Sequence, residues 1–425
     1  MSTGLSFRLG WRSFLRHKRR SIITGLAIAL SLGLMLFTVG FSRGTHEAYI
    51  EQGVRLGAGH VVVQGRGYHQ EQTLDRLVVD PPKVVRVARA LPEVRHVAVR
   101  LRAEALISAG EHSAAIGVTG VDPASERSTS ELPAKRVLGH YLRSRGEMRQ
   151  RNAPADIFLG AKLAKKLEVE LGDRVVLTVS PRGSGKTRAA AFRVRGLFRS
   201  GVAELDAFYA EIPLDEARRL LAVGAGATQV ALLLDSYQSA RGLARALPAK
   251  LEAAGVSSAS VEVLPWQVAL RELYDGLVLD KGSMYVMLGI VFVIIVIGIF
   301  NTMLMSVIER TRELGVMMAI GTSRARLFSI VLAEAAVLAA ISSAIGLGLG
   351  VGVSGWLASR GIDITELVGD MEVAGVAISG LVYPRLSGEA MASWTSAMVV
   401  LVLLSALYPA YRATRLKPVD AMRHV

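Results

Sequence analysis

A chain of 425 residues has enough length for two or three soluble domains, but its 51% hydrophobic content is gathered into four long apolar runs, which excludes a wholly soluble protein. Much of the formal net charge of +14 lies beside those runs, where basic residues meet anionic lipid headgroups, so no nucleic-acid partner is needed to explain it. Cysteine is absent, which excludes disulfides and thiolate metal sites without identifying the compartment.

In chain order, residues 1–20 read as a cytoplasmic amphipathic helix lying in the membrane interface, or more simply as a basic retention signal. Phe7, Trp11 and Phe14 share one helical face, and Arg8, Arg12 and Arg16 share another. Ile22–Phe41 follows with twenty residues and no charge, enough to cross a hydrocarbon core of about 30 Å. This run is longer than a signal-peptide core and no small-x-small cleavage site stands out after it, so 21–41 is read as a retained first span.

Residues 42–281 read as a large α/β domain. Strand-like runs fall at His60–Gln64, Val97–Leu101, Ala115–Val121, Val175–Ser180, Phe192–Phe198, Val230–Asp235 and Ser260–Leu264. Helical runs fall at Lys83–Leu91, Ala161–Leu167, Leu214–Leu221 and Tyr237–Ala254, with Pro81 and Pro213 at first-turn positions. The order strand–helix–strand occurs at both ends. That predicts one discontinuous subdomain, about 44–121 with 226–265, and a second inserted at about 122–225. Residues 265–281 read as a helical stalk.

Three further spans follow, at 282–308, 327–358 and 391–411, separated by a loop at 309–326 and a connection at 359–390. Basic residues cluster before the first span, between the second and third (Arg310, Arg312, Arg324, Arg326), and after the fourth in the 412–425 tail. The 360–390 connection instead carries five acids against two arginines. The positive-inside rule therefore places both termini and the 309–326 loop in the cytoplasm and the α/β domain outside. The fold expected is a membrane protein of four transmembrane α-helices with a large α/β extracytoplasmic domain between helices 1 and 2.

One stretch imitates a nucleotide site. Gly183-Ser-Gly-Lys-Thr187 resembles a phosphate-binding loop, but the pattern needs a glycine where Ser180 stands. The loop should also open a helix, whereas the residues after Thr187 read as a strand. "ALLLDS" at 231–236 and "LSGE" at 386–389 imitate other ATPase motifs, in the wrong order and on the outer side. Pro181, Arg182, Gly183, Ser184, Gly185 and Lys186 are therefore read as the turn of an external β-hairpin. The eight histidines are scattered with no H-x-x-x-H pair, and no metal site is expected.

Within the spans, Glu334 is an intramembrane acid near a cytoplasmic helix end, with a structural and a coupling role equally open. Asn301 reads as a hydrogen-bonding link between helices. Gly346, Gly348, Gly350 and Gly352 form two interleaved G-x-x-x-G patterns that suit close helix packing.

The most specific stretches are "VIERTRELGVMMAIGTSRARLFSIVLAEA", Val307–Ala335, and "YPAYRATRLKPVDAMRHV", Tyr408–Val425. Together they resemble permeases of the MacB/FtsX/LolC-LolE superfamily of ABC transporters, and the resemblance covers essentially the whole chain. "ELGDRVVLTVSP" and "GVAELDAFYAEIPLDEARRLL" in the α/β domain are similar to the LolC/LolE branch. The resemblance implies a multi-pass protein of the bacterial inner membrane that is not itself an enzyme and binds no cofactor. ATP and Mg would be held by a separate ABC ATPase dimer. Glu309, Arg310, Arg312, Glu313, Gly315 and Gly321 would form or brace the helix on which that ATPase docks.

A second permease would complete the assembly, as a homodimer or a LolC/LolE-type heterodimer. ATP hydrolysis would drive a mechanical stroke that passes outer-membrane lipoproteins to a periplasmic chaperone. The hairpin "VSPRGSGKTRAAAF", Val179–Phe192, corresponds to the chaperone-catching hook of LolC and is shorter. A MacB-like efflux or secretion permease and an FtsX-like permease that activates a cell-wall hydrolase are the alternatives.

Overall fold

The first apolar run folds as helix α1, Lys18–Gly53, which extends beyond its charge-free residues and ends in a π-helical turn, Val54–Ala58. The Gly59 N–H closes that turn on the Val54 carbonyl at 3.0 Å, and Gly59 leaves it at φ +74°, an angle that favours glycine. This computed structural model describes residues 18–144, 154–181, 186–364, 372–373, 376–377 and 381–415. The expected interfacial segment up to residue 17, the hairpin residues Arg182, Gly183, Ser184 and Gly185, and the tail from 416 lie outside the described residues. The described residues divide into two units, one built on 18–46, 279–363 and 381–415, the other mainly on 47–278.

The α/β unit begins with β1 (Val61–Gly65), α2 (Pro81–Arg89), β2 (Val94–Ala109), β3 (His112–Val121), α3 (Pro123–Thr129) and β4 (Arg136–Gly139). It continues through β5 (Ala155–Gly160), α4 (Ala161–Lys166), β6 (Arg174–Val179), β7 (Arg188–Phe198), α5 (Ala203–Phe208) and β8 (Tyr209–Pro213). It closes with α6 (Leu214–Leu221), β9 (Gln229–Leu234), α7 (Ala240–Ala253), β10 (Val261–Pro265) and α8 (Trp266–Ala269). The ten strands form one sheet in the order β10-β1-β9-β2-β3-β8-β5-β7-β4, with β6 pairing both β2 and β7.

One end of this sheet is drawn from both ends of the unit. β1 pairs antiparallel with β10, Val61 opposite Pro265, and with β9. The inserted stretch supplies β4 to β8. Three apolar clusters result, a small one around Phe158 and Phe198 and two large cores. Val61, Val63, Val84, Leu232 and Leu247 fill one; Ile107, Ile116, Ile157, Leu177 and Phe192 fill the other. Each such side chain contributes about 1.5–3 kcal/mol on burial.

Strand β2 is far longer than the expected Val97–Leu101, because Arg102 and Glu104 interrupt the apolar pattern while Leu101, Ala105 and Ile107 stay on the core side. Helix α2 starts where Pro81 suggested, with the Asp80 carboxylate accepting from the Lys83 N–H at 3.2 Å. Pro213 instead occupies the cap position before α6. The stalk is not one helix from Pro265. It breaks at Leu270 (φ −117°, ψ 57°) and restarts as α9, Arg271–Glu309, which runs without interruption into the second apolar run.

The remaining helices are α10 (Thr311–Ala319), α11 (Arg324–Arg360) and α12 (Gly388–Thr414), and the connection between the last two holds short strand pairs, among them Ile362–Asp363 with Leu381–Val382. Among the described residues, four helices are long and apolar enough to cross a membrane: Ser21–Ala58, Arg271–Glu309, Arg324–Arg360 and Gly388–Thr414. Ile28, Leu32, Ile299, Met303, Leu338 and Met398 form their shared core.

Small residues set the contact between α1 and α11. A Cβ on Gly346 would stand 2.7 Å from the Ala29 carbonyl oxygen, and one on Gly350 would stand 2.8 Å from Leu36 Cβ. Gly348 and Gly352 point elsewhere, and an added Cβ there meets nothing within 4 Å. The expected packing role is therefore corrected to one of the two interleaved patterns. At 100° per residue, a step of two carries the backbone to the opposite face of a helix.

Candidate functional site

The segment Val307–Ala335 folds as the end of α9, the short helix α10, a turn, and the start of α11. Arg310 separates α9 from α10 with non-helical angles (φ −101°, ψ 16°), and its carbonyl accepts the Leu314 N–H at 2.9 Å. The buried side of α10, Leu314 with Met317 and Met318, packs on Val307, Leu327, Val331, Ala410 and Ala413 from the ends of α9, α11 and α12. Gly315 is buried on the same side.

At its far end the Gly321 N–H bonds Met318 O and the Thr322 N–H bonds Met317 O, both at 3.0 Å. That is a Schellman closure, and it needs the left-handed φ of +98° that Gly321 supplies. Ser323 then caps α11, its hydroxyl accepting from the Arg326 N–H at 3.4 Å. Backbone chemistry thus fixes α10 at both ends.

Arg310 lies at the centre of the charged groups. Its Nη1 donates to Glu334 Oε2 at 2.8 Å, and its Nε donates to Glu313 Oε2 at 3.2 Å. One guanidinium therefore joins the short helix α10 to the interior of the long helix α11. Arg310 and Glu334 are mostly buried, 16% and 15% exposed, whereas Glu313 is 47% exposed. An acid within a membrane helix costs roughly 2.5–3.5 kcal/mol on insertion scales; the arginine offsets that cost by neutralising the charge and occupying a lone pair.

Glu334 also lines a small cavity of about 30 Å³ with Ser21, Thr24, Thr302, Ser306, Met303 and Leu338. Hydroxyl-bearing residues of α1 and α9 thus gather beside the acid of α11. The volume is enough to hold a water molecule. Individual sequence positions gave little notice of this, since single Ser and Thr residues are common in apolar helices. The available signal was their repetition within one turn, Ser21 with Thr24 and Thr302 with Ser306.

The outer side of α10 and its flanks carries Glu309, Arg312 and Glu313, all exposed, with Val316 at 40% and Ile320 at 81% exposure. Three charged and two branched apolar side chains are therefore exposed within twelve residues on and beside α10. Asn301 is not part of this arrangement. It lies exposed on α9 and links no other helix among the described residues, so the expected interhelical bond is corrected within this chain. The helical period places it away from the inward-facing Ile299 and Met303.

The nucleotide-loop imitation lies in the other unit. β6 and β7 are antiparallel neighbours, with Val179 opposite Arg188, so the residues that follow Thr187 form a strand where a phosphate-binding loop would open a helix. Pro181 is buried and Lys186 exposed. "ALLLDS" is largely the buried strand β9.

Comparison with known proteins agrees with this architecture. Residues 21–250 match the family of the MacB-like periplasmic core domain, and residues 285–418 match the FtsX-like permease C-terminal family. The chain is 26% identical over 441 aligned positions to the lipoprotein-releasing system transmembrane protein LolC of Xylella fastidiosa, covering 100% of both chains. It is 22% identical to LolE of Haemophilus influenzae, covering 98% of both. The periplasmic region of MacB from Actinobacillus actinomycetemcomitans aligns with 51% of this chain and 93% of its own, at 14% identity and a TM-score of 0.35. The chain belongs to the MacB/FtsX superfamily, as an ABC transporter permease of the LolC/LolE type with a periplasmic α/β domain between its first and second membrane helices.

Proposed function

We propose that this chain is the membrane subunit of an ATP-driven complex that releases lipoproteins from the inner membrane, with a separate ABC ATPase docking on α10. The observation carrying this reading is the position of Arg310, which ties the exposed helix to Glu334 inside α11. A partner that moved α10 would thereby act on the interior of the helix unit. Full-length similarity to a protein named for lipoprotein release supplies the cargo. ATP and Mg belong to the docked ATPase, the termini and α10 to the cytoplasm, and a second permease to the complete assembly.

In this reading the substrate needs no channel. Helices α1 and α9 run on past the apolar runs toward β1 and away from β10, so rearrangement of the helices reaches the α/β unit through the chain itself. The short β6–β7 connection favours the role of the partner permease that lacks a long chaperone hook. The test is reconstitution with the cognate ATPase, a labelled lipoprotein and a periplasmic acceptor. Release that depends on ATP supports the assignment; an active ATPase with no release sinks it.

A further inference from the structure

A buried ion pair of the α/β unit lies where α1 ends. The last carbonyls of any helix lack intrahelical partners, and the π-helical turn Val54–Ala58 leaves the Gly57 carbonyl in that position. Arg100 Nη1 on β2 donates to Gly57 O, and Arg102 Nη2 donates to the same oxygen at 3.4 Å. Arg100 in turn grips Glu126 of α3, Nε to Oε1 and Oε2 at 3.1 and 3.2 Å and Nη2 to Oε1 at 2.5 Å. The two side chains are 3% and 1% exposed.

A fully buried ion pair is a poor way to stabilise a domain. Desolvation removes most of what the Coulomb attraction provides, and apolar replacements of similar volume often do as well. What such a pair does well is fix one geometry. Here it fixes the end of the first membrane-connected helix to β2, and through α3 to the inserted lobe of β4 to β8. Tyr141, just beyond β4, continues the link by donating to Glu211 Oε2 of β8 at 2.8 Å.

The second connection is anchored nearby by different means. Trp266, Leu273 and Leu277 are buried in the same core as Ile50 and Val54. Its polar contacts, Trp266 Nε1 to Tyr237 O at 3.3 Å and Arg241 Nη2 to Tyr274 Oη at 3.0 Å, are made by neutral groups of that connection, whereas the first ends on the buried Arg100–Glu126 ion pair.

We propose that Arg100, locked by Glu126, is the fastening point that passes movement of the first stalk to the inserted lobe of the periplasmic domain. Arg100 and Glu126 are positioning residues in this role and touch no cargo. The proposal rests on the mechanical reading given above, and its test separates the two.

The experiment uses the full chain in lipid nanodiscs, alone and with its cognate ATPase, and reads amide hydrogen exchange. In the Arg100→Met/Glu126→Leu double variant, exchange over residues 54–60 should rise about tenfold or more while β1 and β9 keep wild-type protection. Unchanged exchange at 54–60 overturns the proposal, as does equal acceleration throughout β1 and β9, which marks a pair that merely holds the fold. Arg102→Met leaves the ion pair in place and should give a smaller acceleration confined to the same segment; its absence counts against the clamp even where the double variant misfolds.

With the ATPase bound, a non-hydrolysable ATP analogue should alter exchange in β5 and β7 of the wild type and leave the double variant unaffected. A double variant that keeps this response overturns the proposal. A wild type that lacks it overturns the mechanical reading instead, while the result at 54–60 in the chain alone still judges the clamp.

Discussion

Arg310 Nη1 and Glu334 Oε2 stand 2.8 Å apart although 24 positions separate them, and this contact binds the exposed helix α10 to the inside of α11. Because both groups are mostly buried, removing one leaves the other charged in a poor environment. Glu334→Ala should lower stability by about 1–3 kcal/mol, and Arg310→Met/Glu334→Leu should recover much of that loss. Thermal unfolding in nanodiscs measures the first effect. The double variant should remain folded and retain basal ATP hydrolysis by the docked ATPase while losing its response to cargo.

The exposed acids before and within α10 give a second prediction. Glu309→Lys/Glu313→Lys should reduce co-purification of the ATPase at least tenfold, because a charge reversal at a polar docking surface opposes the partner's charges directly. Circular dichroism should be unchanged, since both side chains lie on the exposed side of the segment. Undiminished co-purification would remove α10 from the docking surface.

The glycine seam discriminates between positions that look alike in sequence. Gly346→Leu or Gly350→Leu should destabilise the helix unit by roughly 1–3 kcal/mol through overpacking against α1. Gly348→Leu and Gly352→Leu should leave the unfolding of the isolated chain nearly unchanged, because open space surrounds them within it. Equal losses at all four positions would refute the assignment of faces.

Glu211 gives a pH dependence with a definite sign. Burial, followed by the negative charge of Glu126, raises its pKa from an ordinary 4.5 to about 8. The unfolded chain ionises first, so the native α/β domain binds the extra proton, and its stability falls as pH rises between about 4.5 and 8. Above that window the slope vanishes. Glu211→Gln keeps an acceptor for Tyr141 and should flatten the profile, with a higher unfolding temperature than wild type at pH 8. Parallel profiles from pH 5 to 9 would argue against a proton held at Glu211.

Deleting Arg182–Lys186 addresses the nucleotide-loop imitation. The deletion should leave ATP binding and hydrolysis by the complex unchanged, as read by nucleotide titration and phosphate release. A loss of nucleotide binding would place that loop in the cytoplasm and overturn the topology.

The sequence by itself determined the four membrane helices, the α/β domain between the first two, and the position of the short charged helix α10. The helices and the domain follow from local properties, uninterrupted apolar length and strand-like and helical periodicity, and the short charged helix proposed for docking follows from a charged stretch punctuated by Gly315 and Gly321. Tertiary structure decided which groups meet. Arg310 with Glu334, Arg100 with Glu126 and Gly57, and Gly346 with Ala29 are pairings across long sequence separations, and no local pattern records them. It also decided that Asn301 faces outward, that Gly348 and Gly352 lie off the seam, and that β2 continues through its charged residues. Chain length and hydropathy are properties of a segment, whereas a buried charge is tolerated only if a particular distant partner arrives, and folding alone settles which one does.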